Sequence, residues 1–437
     1  MPWYEALGLM VGLIVTLIFT GMPVAFAFLA TNLVGGFVFL RGEIGIIQVV
    51  DNATDLVTRF TLAAVPLFVL LGSLFFSTGL ARRVFDTLDA CIGGVPGRLS
   101  YLTVGASTVF STLTGSTMAN TAMLGSLMVP EMMSRGYKRH MAIGPIIGAG
   151  GLAMIIPPST MTVLLGSVAE LNIGALLVAG LIPGLILAFF YFVAVFLQVQ
   201  LDPSGAPAYS MTERSWSRVF KLVGINIIPV AFVIFCVVGL ILLGIATPTE
   251  AAAFGVAGVI LVSIFSRTFT IARLVAALTD TAKITAMAFL IVMGSSTFSQ
   301  ILAISGIGTG IKEIVNGSNW DSTTIVLLMF LIVILLGTIM DNLSIILITV
   351  PIFFPIVESI HVNPIWFGIV MLIGLEMSST TPPFGMLLFV MLGVAPEGTR
   401  YGDVVRAALP FLFCDALVVC LLMFFPGLAT FLSQMVS

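Results

Sequence analysis

Apolar runs of roughly 15–25 residues recur from one end of the chain to the other, the length an α-helix needs to cross a bilayer. Residues 6–20 and 23–40 predict two helices joined at Thr20-Gly21-Met22-Pro23. Residues 43–62 interleave Glu43, Asp51, Asp55 and Arg59 with apolar positions, the pattern of an amphipathic helix lying at the interface. A span follows at 63–80, then a second interfacial stretch with Arg82, Arg83 and Asp86.

The pattern changes at 99–134. Two apolar arms, 101–112 and 121–133, flank the polar stretch Gly115-Ser116-Thr117-Met118-Ala119-Asn120. Arms of about 12 residues reach roughly 18 Å, short of the ~30 Å hydrocarbon core. Arg98 stands at one end and Arg135, Lys138 and Arg139 at the other, which keeps both ends on the basic, cytoplasmic side. The segment therefore predicts a re-entrant helical hairpin with 115–120 at its tip. Residues 141–169 then cross, broken at Ile156-Pro157-Pro158-Ser159, where two prolines remove backbone donors and clash with the preceding turn. In hydrocarbon, such sequence survives only where it is buried in protein or lines a wet cavity.

The second half repeats this order. Spans at 222–244 and 251–266 surround Ala246-Thr247-Pro248-Thr249-Glu250-Ala251-Ala252. An interfacial stretch with Arg267, Arg273 and Lys283, a span at 284–305, a hairpin at 322–357, a Pro-broken span at 364–395 and a closing span at 407–433 follow. The second tip reads Gly337-Thr338-Ile339-Met340-Asp341-Asn342, which sets Asp341 and Asn342 against Ala119 and Asn120 of the first, and the second break is Pro382-Pro383. Pro23, Gly115, Pro157 and Pro183 recur at Pro248, Gly337, Pro382 and Pro410, offsets of 225, 222, 225 and 227. The expected organisation is a first repeat over 1–200, a cytoplasmic connector at 201–221 and a second repeat over 222–437. The first comprises scaffold helices 1–98, hairpin and broken helix 99–169 and closing helix 174–200; the second, scaffold 222–283, transport elements 284–395 and closing helix 407–433. The first hairpin ends in a basic loop and the second in Glu358 and His361, so the repeats run in opposite senses. Loop counting on that topology places 14 basic residues inside and three (Arg41, Arg59, Lys312) outside, in keeping with the positive-inside rule, with both termini periplasmic.

Composition narrows the class. Of 437 residues 59% are hydrophobic and 8% charged, with mean hydropathy +1.19, against about 25% charged in a soluble chain. The fold class is an all-α polytopic membrane protein. There is no basic patch for nucleic acid, and no basic n-region that would make residues 1–40 a cleaved leader. The four cysteines (Cys91, Cys236, Cys414, Cys420) form no C-x-x-C pair and read as apolar filler; His140 and His361 fall in loops. H-E-x-x-H, P-loop and G-x-S-x-G motifs are missing, so ATP-driven transport and common intramembrane hydrolysis lack their parts and an enzyme is not expected.

Two tips and two breaks entering from opposite sides would bring together the hydroxyls of Ser111, Thr114, Ser116, Thr117, Thr121, Ser159, Thr338, Ser378, Ser379, Thr380 and Thr381, the amides of Asn120 and Asn342, and freed carbonyls. Paired broken helices in two halves mark the binding site of a secondary transporter, where half-helix C-termini favour a cation and N-termini an anionic group. Asp341 and Glu376 are read as the two acids deepest in apolar sequence, and an acid there is functional by default. Against this, membrane Ser and Thr commonly bond their own backbone, Asp341 also suits a helix cap, Glu376 a packing role, and Gly148 to Gly151 close helix packing.

Ala246 to Ala252, the tip Gly115 to Ala122, Ile156-Pro157-Pro158-Ser159 and Thr381-Pro382-Pro383-Phe384-Gly385 together resemble the large membrane subunit of tripartite ATP-independent periplasmic (TRAP) transporters over nearly the whole chain. The resemblance implies sodium-coupled import of an organic acid by an elevator movement, with the interfacial helices and outer spans as fixed scaffold. It implies a separate small four-helix membrane subunit, a periplasmic substrate-binding protein and residence in the bacterial inner membrane. Carried over residue by residue, one sodium site falls near Ser111, Thr114, Ser116, Asn120, Gly151 and Pro157. A second falls near Gly337, Thr338, Asp341, Asn342, Thr380 and Thr381. Substrate would touch Thr117, Thr121, Pro158, Ser159 and Pro382 between them. The alternative is a stand-alone sodium- or proton-coupled anion transporter or exchanger of the same architecture that needs no binding protein.

Overall fold

A computed structural model describes residues 1–437 except Arg41, Arg59, 93–94, 208–215, 318–319 and 436–437. The Arg41, Arg59, Glu213 and Arg214 placements therefore lie outside the described residues. Among the described residues every regular element is helical. The first half contains α1 (Trp3–Phe19), α2 (Val24–Phe39), α3 (Glu43–Val57), α4 (Ala64–Ser77), α5 (Leu80–Cys91), α6 (Arg98–Thr114), α7 (Thr117–Ser134), α8 (Arg139–Gly151), α9 (Thr160–Val168) and α10 (Ile173–Leu201). The second contains α11 (Val219–Leu242), α12 (Pro248–Phe265), α13 (Ile271–Ile304), α14 (Ile307–Gly317), α15 (Ser322–Gly337), α16 (Asn342–Ser359), α17 (Pro364–Thr380), α18 (Met386–Val394) and α19 (Tyr401–Phe424). Six described helices (α10, α11, α12, α13, α16 and α19) are long and apolar enough to cross a membrane.

The repeat is visible in the helix boundaries. An offset of 225 carries Thr117–Ser134 onto Asn342–Ser359, and Arg139 at the start of α8 onto Pro364 at the start of α17. Both Pro-Pro bonds are cis.

Three sequence expectations change. The hairpin arms are longer than expected, 17 and 18 residues in the first pair: Thr and Ser near the tip are taken into the helix, their hydroxyls satisfied by carbonyls one turn back, as those of Ser111 and Thr112 are. The first tip shrinks to Gly115-Ser116. Second, the interfacial stretch 268–283 and the span 284–305 form one continuous 34-residue helix, α13. In the first half Pro66, in the opening turn of α4, cannot accept the helix running in from α3, whereas α13 has no proline at the matching place. Third, a short amphipathic helix, α14, occupies 307–317, the counterpart of α5.

Two groups of helices emerge from the packing. α4 lies against α12 and α13, and α2 and α3 against α13. Asn32 Nδ2 donates to the Gly294 carbonyl at 2.6 Å, fastening α2 to α13. The hairpins and broken helices form the other group, and the closing helices belong to it: α19 packs along α8, and α10 on α6, α8 and α19. The closing helices thus pack with the hairpins, whereas α2, α3 and α4 pack with α12 and α13. At the basic end, Lys138 pairs with Asp202 at 2.7 Å and Arg139 with Asp403 at 3.1 Å, which puts the foot of α8, the connector and the start of α19 on one side.

Candidate functional site

Gly115 ends α6 with φ +55°, a left-handed conformation that glycine adopts at little cost, and this turns the chain in two residues. Ser116 then caps α7, its Oγ accepting the Ala119 N–H. The tip rests on the first break. Thr160 N–H donates to the Gly115 carbonyl at 3.4 Å, and a Cβ on Gly115 would lie 2.9 Å from the Pro158 carbonyl oxygen. Ser159 caps α9: its hydroxyl donates to the Met154 carbonyl at 2.7 Å and accepts from Thr162 N–H at 3.3 Å.

Behind the tip lies a buried polar cluster. Asn120 Nδ2 donates to Ser107 Oγ at 2.9 Å and Ser111 Oγ at 3.3 Å, and Ser107 Oγ donates to the Ala149 carbonyl at 2.7 Å. Thr121 Oγ1 sits so close over Gly150 that a Cβ there would overlap it. Three oxygens in this cluster, Thr114 Oγ1, Asn120 Oδ1 and Thr121 Oγ1, are buried with no hydrogen-bond partner. Orphaned buried acceptors are costly, and oxygen-only sets of this kind suit a hard cation. Of the first six residues assigned from the resemblance, Thr114 and Asn120 thus carry free oxygens of the kind sodium takes, while the Ser111 and Ser116 hydroxyls are already hydrogen-bonded.

The second tip is built differently. Asp341 caps α16: Oδ2 accepts the Leu343 and Ser344 N–H groups at 3.1 and 3.3 Å, and Oδ1 accepts from the Ser344 hydroxyl. Its counterpart by capping position is Ser116, and that of Asn342 is Thr117; this corrects the pairing of Asp341-Asn342 with Ala119-Asn120. The stretch between the arms is two residues longer in the second half, since α15 ends at Gly337 and α16 starts at Asn342 whereas α6 ends at Thr114 and α7 starts at Thr117; matching Gly115, one residue past the end of α6, with Gly337, the last residue of α15, accounts for the third residue between the offsets of 222 and 225. Asn342 reaches the second break, exchanging hydrogen bonds with Ser379 at 2.9 and 3.1 Å, and Gly337 lies against Ser378 so closely that a Cβ would overlap it. Thr338 donates to the Leu335 carbonyl, and Thr380 and Thr381 to that of Met377, at 2.7, 3.0 and 2.6 Å. The second set is therefore close to internally satisfied.

The two breaks meet. Glu376 on α17 places its carboxyl on Gly151 at the end of α8. Thr117 and Pro157 to Ser159 are buried on the first side, while Pro382 is half-buried. The structure thus chains together the first tip, the first break, the second break and the second tip.

Sequence reasoning missed Asp415 and Tyr191. Asp415, 1% exposed on α19, accepts a hydrogen bond from the Tyr191 hydroxyl of α10 and faces Glu376, itself 0% exposed. Asp415 is more deeply buried than Asp341, which corrects the naming of the deepest acids. The signal was present: Phe411-Leu412-Phe413-Cys414-Asp415-Ala416-Leu417-Val418 is an acid inside an unbroken apolar run.

Residues 11–428 match the sequence profile described as "Tripartite ATP-independent periplasmic transporter, DctM component". The chain is 31% identical over 373 residues, 85% of its length and 86% of the relative's, to the C4-dicarboxylate TRAP transporter large permease protein DctM of Pseudomonas aeruginosa. It is 30% identical over 426 residues, 96% of each chain, to the sialic acid TRAP transporter large permease protein SiaM of Vibrio cholerae. Identity to the ectoine TRAP transporter large permease protein TeaC of Halomonas elongata is 29% over 429 residues, 98% and 99% of the two chains. Among solved structures, the Alcanivorax borkumensis YdaH transporter superposes with TM-score 0.65 at 14% identity, over 87% of this chain and 88% of that one. Neisseria gonorrhoeae MtrF gives 0.63 at 13%, over 89% and 85%. At such identities the likeness concerns the fold.

Proposed function

Because the chain belongs to the DctM component family of the tripartite ATP-independent periplasmic transporters, and is a multi-pass membrane permease, we propose that it imports an organic acid coupled to sodium. The acid is handed over by a periplasmic binding protein, and a small membrane subunit docks on the α2–α4 and α12–α13 group. The substrate class is a C4-dicarboxylate, sialic or sugar acid, and the hairpin group moves against the scaffold as an elevator in the bacterial inner membrane with both termini periplasmic.

The observation that carries sodium coupling is the pair of orphaned oxygens on Thr114 and Asn120 beneath the first tip. Ser111, Thr114, Ser116, Asn120 and the carbonyls around Gly151 and Pro157 would hold the ion. Thr117, Thr121 and the break at Pro158-Ser159 would face the acid, with Pro382 across from them. Each ion entering down about 100 mV supplies ~2.3 kcal/mol, so two ions carried with a singly charged acid, a net charge of +1, support roughly fiftyfold accumulation.

The test is uptake into proteoliposomes holding both membrane subunits, with purified binding protein outside. Uptake should require the binding protein and an inward sodium gradient. Thr114→Val, which replaces an orphaned oxygen of the proposed ion site by a methyl of similar shape, should leave thermal stability unchanged and raise the sodium concentration for half-maximal uptake. Uptake that persists without sodium and follows a pH gradient would remove the coupling; uptake without the binding protein would favour a stand-alone exchanger.

A further inference from the structure

The 225-residue offset that carries Arg139 onto Pro364 and Pro157 onto Pro382 also carries Gly151 onto Glu376. These two positions touch. Two equivalent positions of an inverted repeat that touch each other lie on its pseudo-twofold axis. A strictly symmetric sequence would place two identical side chains there. At this spacing a Cβ on Gly151 would already overlap the Glu376 carboxyl, so the axis has room for one glutamate and none for its mate.

The asymmetry extends outward. Glu376 faces Asp415 of α19, whose counterpart on α10 at the Pro183-to-Pro410 spacing is Ala188. Both acids come from the second repeat, and small residues stand opposite them in the first. The first repeat returns one group, the Tyr191 hydroxyl, which donates to Asp415. Glycine next door at 150 gives Thr121 of the first hairpin a seat on the same turn of α8. One turn of α8 therefore receives the first hairpin on one side and the second broken helix on the other.

We propose that Glu376 is a positioning residue: a single wedge on the pseudo-twofold axis that sets the spacing of the two breaks and so holds the two half-sites as one body. It acts by shape and by its contact with Asp415, without touching substrate. Glutamine has the same outline and offers Asp415 a donor, so it should substitute; alanine should not.

The test uses the full chain with its native cysteines replaced, reconstituted with the small subunit and spin-labelled at Met118 and Ile339, which are exposed on the two tips. Pulsed electron resonance reads the tip-to-tip distance. In Glu376→Ala the distribution should widen, or its mean shift, by about 2 Å or more, the scale of a true element rearrangement. In Glu376→Gln it should match the parent. Exchanging the residues across the axis, Gly151→Glu with Glu376→Gly, should give a narrower distribution than either single change. An unchanged distribution in Glu376→Ala, a widened one in Glu376→Gln, or an exchange no better than the worse single change would each overturn the proposal. If Glu376→Ala does not fold, the glutamine and exchange variants still decide it. Neither sodium nor substrate is present, so the outcome is separate from that of the coupling experiment.

Discussion

Replacing Gly115 by alanine separates the contribution of the tip's conformation from that of its seat on the break. The left-handed φ of +55° costs a non-glycine residue about 1–2 kcal/mol. Gly79 supplies the control, since it has φ +76° and open space where a Cβ would go, so Gly79→Ala carries the strain and nothing else. At Gly115 the added methyl meets the Pro158 carbonyl oxygen at 2.9 Å, Thr160 Oγ1 at 3.0 Å and Thr160 N at 3.2 Å. Two of these are backbone atoms that cannot rotate away. The tip must lift, and the 3.4 Å bond from Thr160 N–H to the Gly115 carbonyl opens. A lost bond with a buried donor left unpaired costs about 1–3 kcal/mol, and the residual crowding adds to it. An excess of about 2–3 kcal/mol over the control lowers the population of the seated tip roughly 30- to 150-fold. Initial uptake rate in proteoliposomes, paired with thermal unfolding of each variant, reads both terms. Gly115→Ala behaving like Gly79→Ala in both assays would refute the seat.

Asp341→Asn should keep most uptake, because asparagine caps a helix as well as aspartate, whereas Asp341→Ala should cost about 0.5–2 kcal/mol of stability, read by thermal unfolding; uptake abolished in Asp341→Asn alone would point to the charge. Gly337→Ala drives a methyl into Ser378 and should reduce both stability and uptake, and Ser378→Gly in the same chain should recover part of each. Hydrogen bonds from Lys138 and then Ser204 hold the Asp202 carboxyl below the usual carboxylate range. Its folded value lies below its unfolded one, so the tie is present above the ordinary carboxylate range and is lost as pH falls through the lowered value. Proteolysis of the connector should rise on acidification in the parent chain and be high and pH-independent in Asp202→Asn.

The repeat, both hairpins and both breaks were legible because they depend on short-range rules. Proline pairs and polar tips stand out from apolar surroundings, and every helix boundary at the breaks falls beside them. The fusion of 268–305 into one helix was not legible, because Arg273 and Lys283 suggest an interface while nothing in the local sequence forces a break; only tertiary packing decides. How the proposed site residues spend their oxygens was not legible. Ser159 and Asp341 carry the oxygens a ligand would want, yet both spend them on capping the helix that follows. Which hydroxyl is left over is a property of the assembled network. The Ala246 to Ala252 motif shows the same thing: Thr247 and Glu250 form a reciprocal capping box at the start of α12, so part of what makes the motif recognisable is helix initiation.

The boundary between the two groups of helices differs in its contacts from the interior of the hairpin group. α4 meets α6 through Gly72, where a Cβ would come within 2.7 Å of the Thr114 carbonyl oxygen, and through the Phe75–Phe110 ring pair at 5.8 Å. α13 meets α16 with Ser295 Oγ donating to the Leu347 carbonyl at 3.2 Å. The contacts on these two faces are apolar or single neutral hydrogen bonds, worth about 0.5–1.5 kcal/mol each, whereas α5 is held to the foot of α6 by the Arg98–Asp89 ion pair at 2.8 Å. Inside the hairpin group the ties are of another kind: the Asn342–Ser379 exchange, the Ser107–Asn120–Ser111 cluster, and Trp366 Nε1 donating to the Leu422 carbonyl at 2.9 Å. These link residues far apart in sequence through buried polar groups that have no equal partner a turn away, so breaking one leaves a donor or acceptor stranded in a dry interior. A load applied across the protein should therefore part it along α4–α6 and α13–α16 before it separates the tips from the breaks, the order of strengths that the proposed elevator movement would need.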